Sequence, residues 1–389
     1  MNSSHRLSGT AANGFDRDLP VTGKSVLIAG AGNIGSPLVS VVARMPEVGR
    51  IILADPDRYS ADNCRTQDIR ASDVGKFKVA AAAREIRAIR PAELVVDTYP
   101  MIVEAVPLGV LRHADLIVGC VDSRSGRLAI NELSWRVNRP WIDTSVSGPD
   151  LLSRVSVYMP SANRVCYECR FTDAADYAAL DTVYSCFAPT ESPATNAPSE
   201  LGMLTASIAA FQVRLMLQGK YEQALVGRQL LLDARSHQQI LGRLTPNPDC
   251  KFDHKIWDIQ TLAQSPDEIS IADTLALAPR GTANSALRMD GQAFVNRVTC
   301  IGCGEPSRRA WRLSARLSPR QKICPGCGDS RYATGMDTEN EMTGALISEA
   351  WRKKKLSSLG FRPGDVFSVV SAGVPVHFEL GGHDDRSRI

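Results

Sequence analysis

The stretch Val26–Val39, VLIAGAGNIGSPLV, decides the fold. A stiff apolar run feeds a glycine turn, Gly30-Ala31-Gly32-Asn33-Ile34-Gly35, and a helical pattern follows. Glycines at these positions let the backbone approach a phosphate closely, and the helix that follows offers free N–H groups and a positive dipole end. Asp55 closes the next strand, where an acid that binds ribose is expected. On this loop alone, an NAD-binding dehydrogenase and an enzyme that splits ATP are both open readings.

Outward from that loop, from Lys24 to about Ser145, short β-rich runs alternate with helical stretches. SVLIAG, RIILAD, ELVVDTY, DLIVGCV and PWIDTS read as strands; IGSPLVSVVARM, GKFKVAAAAREIRAI and RSGRLAINELSWRV read as helices between them. Near-continuous apolar strands separated by helices imply an α/β fold, a Rossmann-like, doubly wound, mostly parallel sheet covered on both faces. A Pro/Ser/Thr/Asn-rich stretch, FAPTESPATNAPSE, reads as part of a crossing loop over about 170–200. Leu204, Ile208, Phe211 and Leu215 then recur at helical spacing. Residues 1–22 read as an N-terminal arm, 23–255 as one domain and 256–389 as a C-terminal module, with paired cysteine knuckles at 296–332 and a β-rich tail.

The bulk numbers narrow the class. The chain has 389 residues, 44% hydrophobic and 22% charged, with a net charge of +3. Such a balance fits an ordinary globular protein of two or three domains and gives no electrostatic case for nucleic acid. The N-terminus is polar without an apolar core segment, and no apolar run approaches a bilayer's thickness, so a cytoplasmic protein without membrane contact is expected. Basic runs such as SRRAWRLSARLSPRQK and WRKKK read as solvated faces, with docking of an acidic partner as an alternative; nucleic acid is a less favoured one, since Trp311 is the aromatic interleaved with them.

Three features beyond the glycine turn favour ATP. The second strand runs into LADPDRYSADNCRTQ, which supplies Asp57 and the polar cluster Asn63, Arg65 and Gln67. A helix opens DVGKFKVAAA, with Lys78 on its first turns. A strand ends in GCVDSRSGRLAIN, with Asp122, Arg127 and Asn131. Singly, Lys78 would read as a solvated helix lysine and Asp122 as a strand-end cap. As an ordered set they resemble the ThiF/MoeB family, the adenylyltransferases that include the ubiquitin-activating enzymes, over about residues 20–255.

That resemblance implies specific roles. Gly30, Gly32 and Gly35 line the phosphates, Asp55 binds ribose, Lys78 neutralises the triphosphate and Asp122 holds Mg²⁺. It implies ATP-dependent adenylation of the C-terminal carboxylate of a ubiquitin-like or sulfur-carrier protein ending in glycine, in a homodimer, with a downstream conjugating protein as a further partner. Sulfur-carrier activation for thiamin or molybdopterin synthesis is the nearest alternative. A non-catalytic zinc-ribbon scaffold is another. Two departures stand out: Arg65, which the resemblance casts as a phosphate-binding, catalytic arginine, lies one position earlier than the family's arginine, and the arginine that relatives donate from a partner subunit has no obvious match, with Arg6 and Arg17 both in the arm.

Ten cysteines remain to be placed. Cys300 and Cys303, then twenty residues, then Cys324 and Cys327, have four-cysteine zinc-ribbon spacing. The resemblance implies a second structural Zn²⁺ held by Cys166, Cys169 and Cys250. The family's fourth ligand falls at Asp253, with His254 beside it as the better zinc donor. In relatives that transfer the activated acyl group, a crossing-loop thiol accepts it, which points to Cys186. Cys64 and Cys120 read as packing residues.

Overall fold

The computed structural model describes residues 23–90, 94–161, 163–171, 197–278 and 285–382. They form two compact units: 23–106 with 111–256, and 107–110 with 257–382.

The first unit is built on an eight-stranded sheet. Its strands are β1 (Lys24–Ala29), β2 (Val48–Ala54), β3 (Val95–Tyr99), β4 (Leu116–Gly119), β5 (Trp141–Ser147), β6 (Leu152–Tyr158), β7 (Arg228–Asp233) and β8 (Gln238–Arg243), in the order β3-β2-β1-β4-β5-β6-β7-β8. The first five in that order run parallel, with Leu27 opposite Ile52 and Ile28 opposite Val118. Strands β6 to β8 add an antiparallel extension. The sequence reading did not foresee the β7–β8 hairpin.

The apolar runs of β1 and β2 are buried almost throughout because helices cover both faces. On one side α1 (Gly35–Val42), α2 (Lys78–Ile89) and the helix Ser199–Leu217 pack Leu38, Val42, Ile86, Ala209 and Val213 against Val26, Ile28 and Ile51. On the other lies α3 (Arg124–Arg136). The chain steps from β1 to β2 to β3 in one direction and returns to β4 on the opposite side of β1. This leaves a crevice at the carboxyl ends of the strands, where open α/β sheets bind ligands.

The helix Ser199–Leu217 corrects one expectation: at 19 residues and a mean hydropathy of 1.2 it is long and apolar enough to cross a bilayer. Its buried residues, among them Leu201, Ala206, Ala209 and Val213, belong to the core just described.

The second unit carries a five-stranded sheet in the order Glu341–Thr343, Ala286–Arg288, Val366–Ser371, Val374–Glu379, Ile259–Thr261. Leu287, Phe294, Leu313, Phe367 and Val369 are fully buried in its core. The cysteine knuckles sit on a smaller pairing, Thr299–Cys300 with Arg331–Tyr332.

Candidate functional site

A cleft of about 840 Å³ opens at the carboxyl ends of β1, β2 and β4. The glycine turn forms its floor. Gly30 takes φ +95°, and a Cβ there would lie 2.6 Å from the Cys120 carbonyl oxygen. A Cβ on Gly35 would collide with the Gly30 carbonyl. Gly32 differs: nothing but the tip of Gln67 comes within 4.0 Å of where its Cβ would be. Gly30 and Gly35 therefore shape the turn, while Gly32 keeps its open side clear for a ligand.

Asp55 fastens this turn from below. It is buried, and its carboxylate accepts from the Ala31 N–H at 2.7 Å and the Asp57 N–H at 2.8 Å. Burial pushes its carboxyl up, against the pull of the Lys78 charge and those two N–H groups. Both oxygens are thus engaged by the loop, a bracing role that the ribose expectation did not include. Asp57 extends to the surface, with its carboxylate 2.9 Å from the buried Lys78 Nζ. Lys78 is the first residue of α2, so its ammonium stands at a helix N-terminus beside the cleft.

Across the turn, Asp122 follows β4 and lines the cleft with an exposed side chain. The next residue, Ser123, caps α3 by accepting from the Gly126 N–H at 3.1 Å. Arg127, one turn later, reaches back: its Nη2 donates to the Val121 carbonyl at 2.8 Å and its Nε lies 3.1 Å from Asp143. Asn33 closes the remaining side, its Nδ2 donating to the carbonyls of Thr66 at 2.6 Å and Ala197 at 3.1 Å.

Of the residues expected here, Gly30, Gly32, Asp55, Asp57, Asn63, Gln67, Lys78 and Asp122 line the cleft, and Gly35 packs behind it. Arg65 does not. It ends the 3-10 turn Ala61–Arg65 on the exposed side, while Asn63, Thr66 and Gln67 face inward. Among the described residues, Arg58 and Arg127 are the arginines that line the cleft, together with Glu104, whose carboxyl burial pushes up. Arg127 belongs to the strand-end motif already singled out; Arg58 and Glu104, in the segments that follow β2 and β3, carried no motif signal. Cys64 is exposed rather than a packing residue. Cys120 packs beside the core and lines the cleft, with burial pushing its thiol up to about 12. Cys186, Arg6 and Arg17 lie outside the described residues.

Two further clusters could hold metal. Cys166, Cys169, Cys250 and His254 place one donor atom each within 4.8 Å of all the others, as do Cys300, Cys303, Cys324 and Cys327. A tetrahedral zinc with bonds of about 2.3 Å sets its sulfurs about 3.8 Å apart. The sulfurs of Cys166 lie 3.6 Å from Cys169 and 3.7 Å from Cys250, and Cys303 lies 3.7 Å from Cys324. His254 Nε2 stands 3.4 Å from the Cys169 sulfur. His254, not Asp253, completes the first set, because the Asp253 carboxylate turns away to Arg136 at 2.6 Å.

The model of the ThiF family matches residues 16–252. The chain belongs to this family. It is 27% identical over 280 residues to the adenylyltransferase and sulfurtransferase MOCS3-1 of Zea mays, covering 68% of this chain and 56% of that one. It is 24% identical over 242 residues to the ubiquitin-like modifier-activating enzyme 5 of Dictyostelium discoideum, covering 58% and 60%. The chain thus spans somewhat over half the length of these curated relatives. Among solved structures, E. coli MccB with ATP superposes with a TM-score of 0.47 at 22% identity, over 59% of this chain and 67% of MccB.

Within this ThiF-family cleft the glycines make separable predictions. Gly32→Ala adds a methyl that the protein itself accommodates, so stability should change by less than about 1 kcal/mol. If the turn holds the phosphates of ATP, the same methyl fills their space, and ATP affinity should fall at least about tenfold. Gly35→Ala should instead fail on stability. Thermal melts and calorimetric ATP titrations separate the two, and an unchanged ATP affinity in Gly32→Ala would remove the phosphate from this turn.

Proposed function

We propose that this chain is an ATP-dependent adenylyltransferase that activates the C-terminal carboxylate of a ubiquitin-like or sulfur-carrier protein. One observation carries the reading: a single cleft gathers an open glycine turn, a lysine at a helix N-terminus and an uncommitted carboxylate at a strand end. A site for NAD has no need of that lysine and acid around its pyrophosphate.

In this reading the triphosphate lies along the glycine turn. Lys78 turns from Asp57 to the phosphates, and Arg58 and Arg127 add positive charge at the walls. Asp122 would hold Mg²⁺, which would offset the phosphate charge. The carrier's carboxylate oxygen attacks the α-phosphorus. The bond between that phosphorus and the bridging oxygen of pyrophosphate breaks, and pyrophosphate leaves with the electron pair. The fixed cations stabilise charge that builds on the phosphoryl oxygens. The product is a carrier acyl-adenylate.

We extend the proposal to a second step at Cys186. A thiolate there attacks the acyl carbon, a thioester forms and AMP departs. The Cys120 thiol lines the same cleft but stays protonated at neutral pH, so it is a poor competitor. Cys186→Ala should keep pyrophosphate exchange and lose any carrier adduct that thiol reductant cleaves. A non-reducing gel with a glycine-terminated carrier and Mg·ATP tests this. An adduct that persists in Cys186→Ala moves the acceptor to another thiol and leaves adenylation standing.

A further inference from the structure

The helix α3 links two sites that share no ligand. Arg127, Asn131 and Trp135 recur at every fourth position, so they form one stripe along the helix. All three are buried. At the N-terminal end, Arg127 donates to the Val121 carbonyl and so holds the segment that carries Asp122. At the C-terminal end, the Trp135 ring meets the His254 ring edge-on, 4.8 Å between centroids. Between them, the Asn131 Oδ1 accepts from the N–H of Tyr167 at 2.9 Å, and Tyr167 lies inside the Cys166–Cys169 knuckle.

Asn131 is an expensive choice at this place. It is fully buried, and its Nδ2 finds no hydrogen-bond partner among the described residues. A leucine would fill similar space without that donor, but would leave the buried Tyr167 N–H without its acceptor. What the amide provides is the single bond to the knuckle backbone. A second link runs in parallel. Arg170, next to Cys169, lies 3.9 Å from the buried Asp143, whose other oxygen pairs with Arg127.

We propose that Asn131 is a positioning residue that couples the Cys166/Cys169/Cys250/His254 centre to the Asp122 loop, so that metal occupancy there and Mg·ATP binding favour each other. The inference rests on the adenylation reading for the nucleotide and on zinc for the ion. A filled centre fixes the knuckle, the knuckle fixes the middle and end of α3, and α3 fixes the loop through Arg127. Coupling of two binding events is reciprocal: Mg·ATP must raise the metal's affinity by the same factor as the metal raises that of Mg·ATP.

That reciprocity sets the test. Zinc release from the purified full chain is followed with a chromogenic chelator, with and without saturating Mg·ATP, after ATP binding has been measured by calorimetry. Mg·ATP should slow loss of the first-centre ion by about fivefold or more. The ribbon ion, held by Cys300, Cys303, Cys324 and Cys327 in the other unit, should leave at the same rate either way and serves as the internal control. In Asn131→Leu the protection should drop below about twofold while ATP still binds. Unchanged release rates in the wild type with ATP demonstrably bound would overturn the coupling, and full protection in Asn131→Leu would remove Asn131 from it. If the wild type binds no ATP, the adenylation reading itself falls, and this inference with it. The wild-type comparison decides the coupling even if Asn131→Leu does not fold.

Discussion

Asp122→Ala is expected to slow ATP–pyrophosphate exchange by about a hundredfold or more, the usual consequence of removing one preorganised charge from a reacting centre. The side chain is exposed at the cleft wall, so its removal should leave the melting temperature nearly unchanged. Lys78→Ala should cost at least as much, for two reasons. It removes a cation from the phosphates, and it leaves Asp57, now 2.9 Å from the ammonium, as an unpaired negative charge beside them. The double substitution Asp57→Asn with Lys78→Ala should therefore recover part of the loss. Exchange at the wild-type rate in both single variants would take phosphate and metal out of this cleft.

The second large effect belongs to the ribbon. Elemental analysis should give two zinc ions in the wild type and one in Cys324→Ser. The pairing that carries the knuckles has strands of two residues, Thr299–Cys300 and Arg331–Tyr332, too short to hold together by themselves. A structural zinc contributes on the order of 10 kcal/mol to such a module. Backbone N–H groups of Cys327 and Gly326 point at the Cys324 sulfur and favour its thiolate, the form that binds zinc. Cys324→Ser should make residues 296–332 sensitive to protease and leave ATP binding in the first unit largely intact. A wild-type count of one ion or none would eliminate the two-centre account.

Much of this was written in the sequence, for identifiable reasons. Burial on both faces leaves apolar runs with glycine turns at their ends, and such runs announce a parallel sheet. Cysteine pairs with two residues between them announce a metal knuckle because the chain must turn back on the ion. What escaped depended on distant partners. Spacing alone left Asp253 and His254 as alternatives for the first centre. Arg136, 117 positions from Asp253 in sequence, settles the matter by taking the aspartate. The family pattern drew Arg65 toward the phosphates, yet the 3-10 turn at Ala61–Arg65 points it outward, and Arg58, which no motif singled out, lines the cleft alongside Arg127. Asp55 matched a ribose acid by position. Its bonds to Ala31 and Asp57 depend on how the glycine turn folds over the end of β2, which no spacing rule encodes.

The central claim, adenylation of a protein carboxylate, is tested most directly by ATP–pyrophosphate exchange with a purified ubiquitin-like or sulfur-carrier protein ending in glycine. The account predicts Mg²⁺-dependent exchange that needs the carrier and disappears when its terminal carboxylate is converted to an amide. Exchange that is indifferent to the amide, or a cleft that binds NAD and leaves ATP unbound, would contradict it.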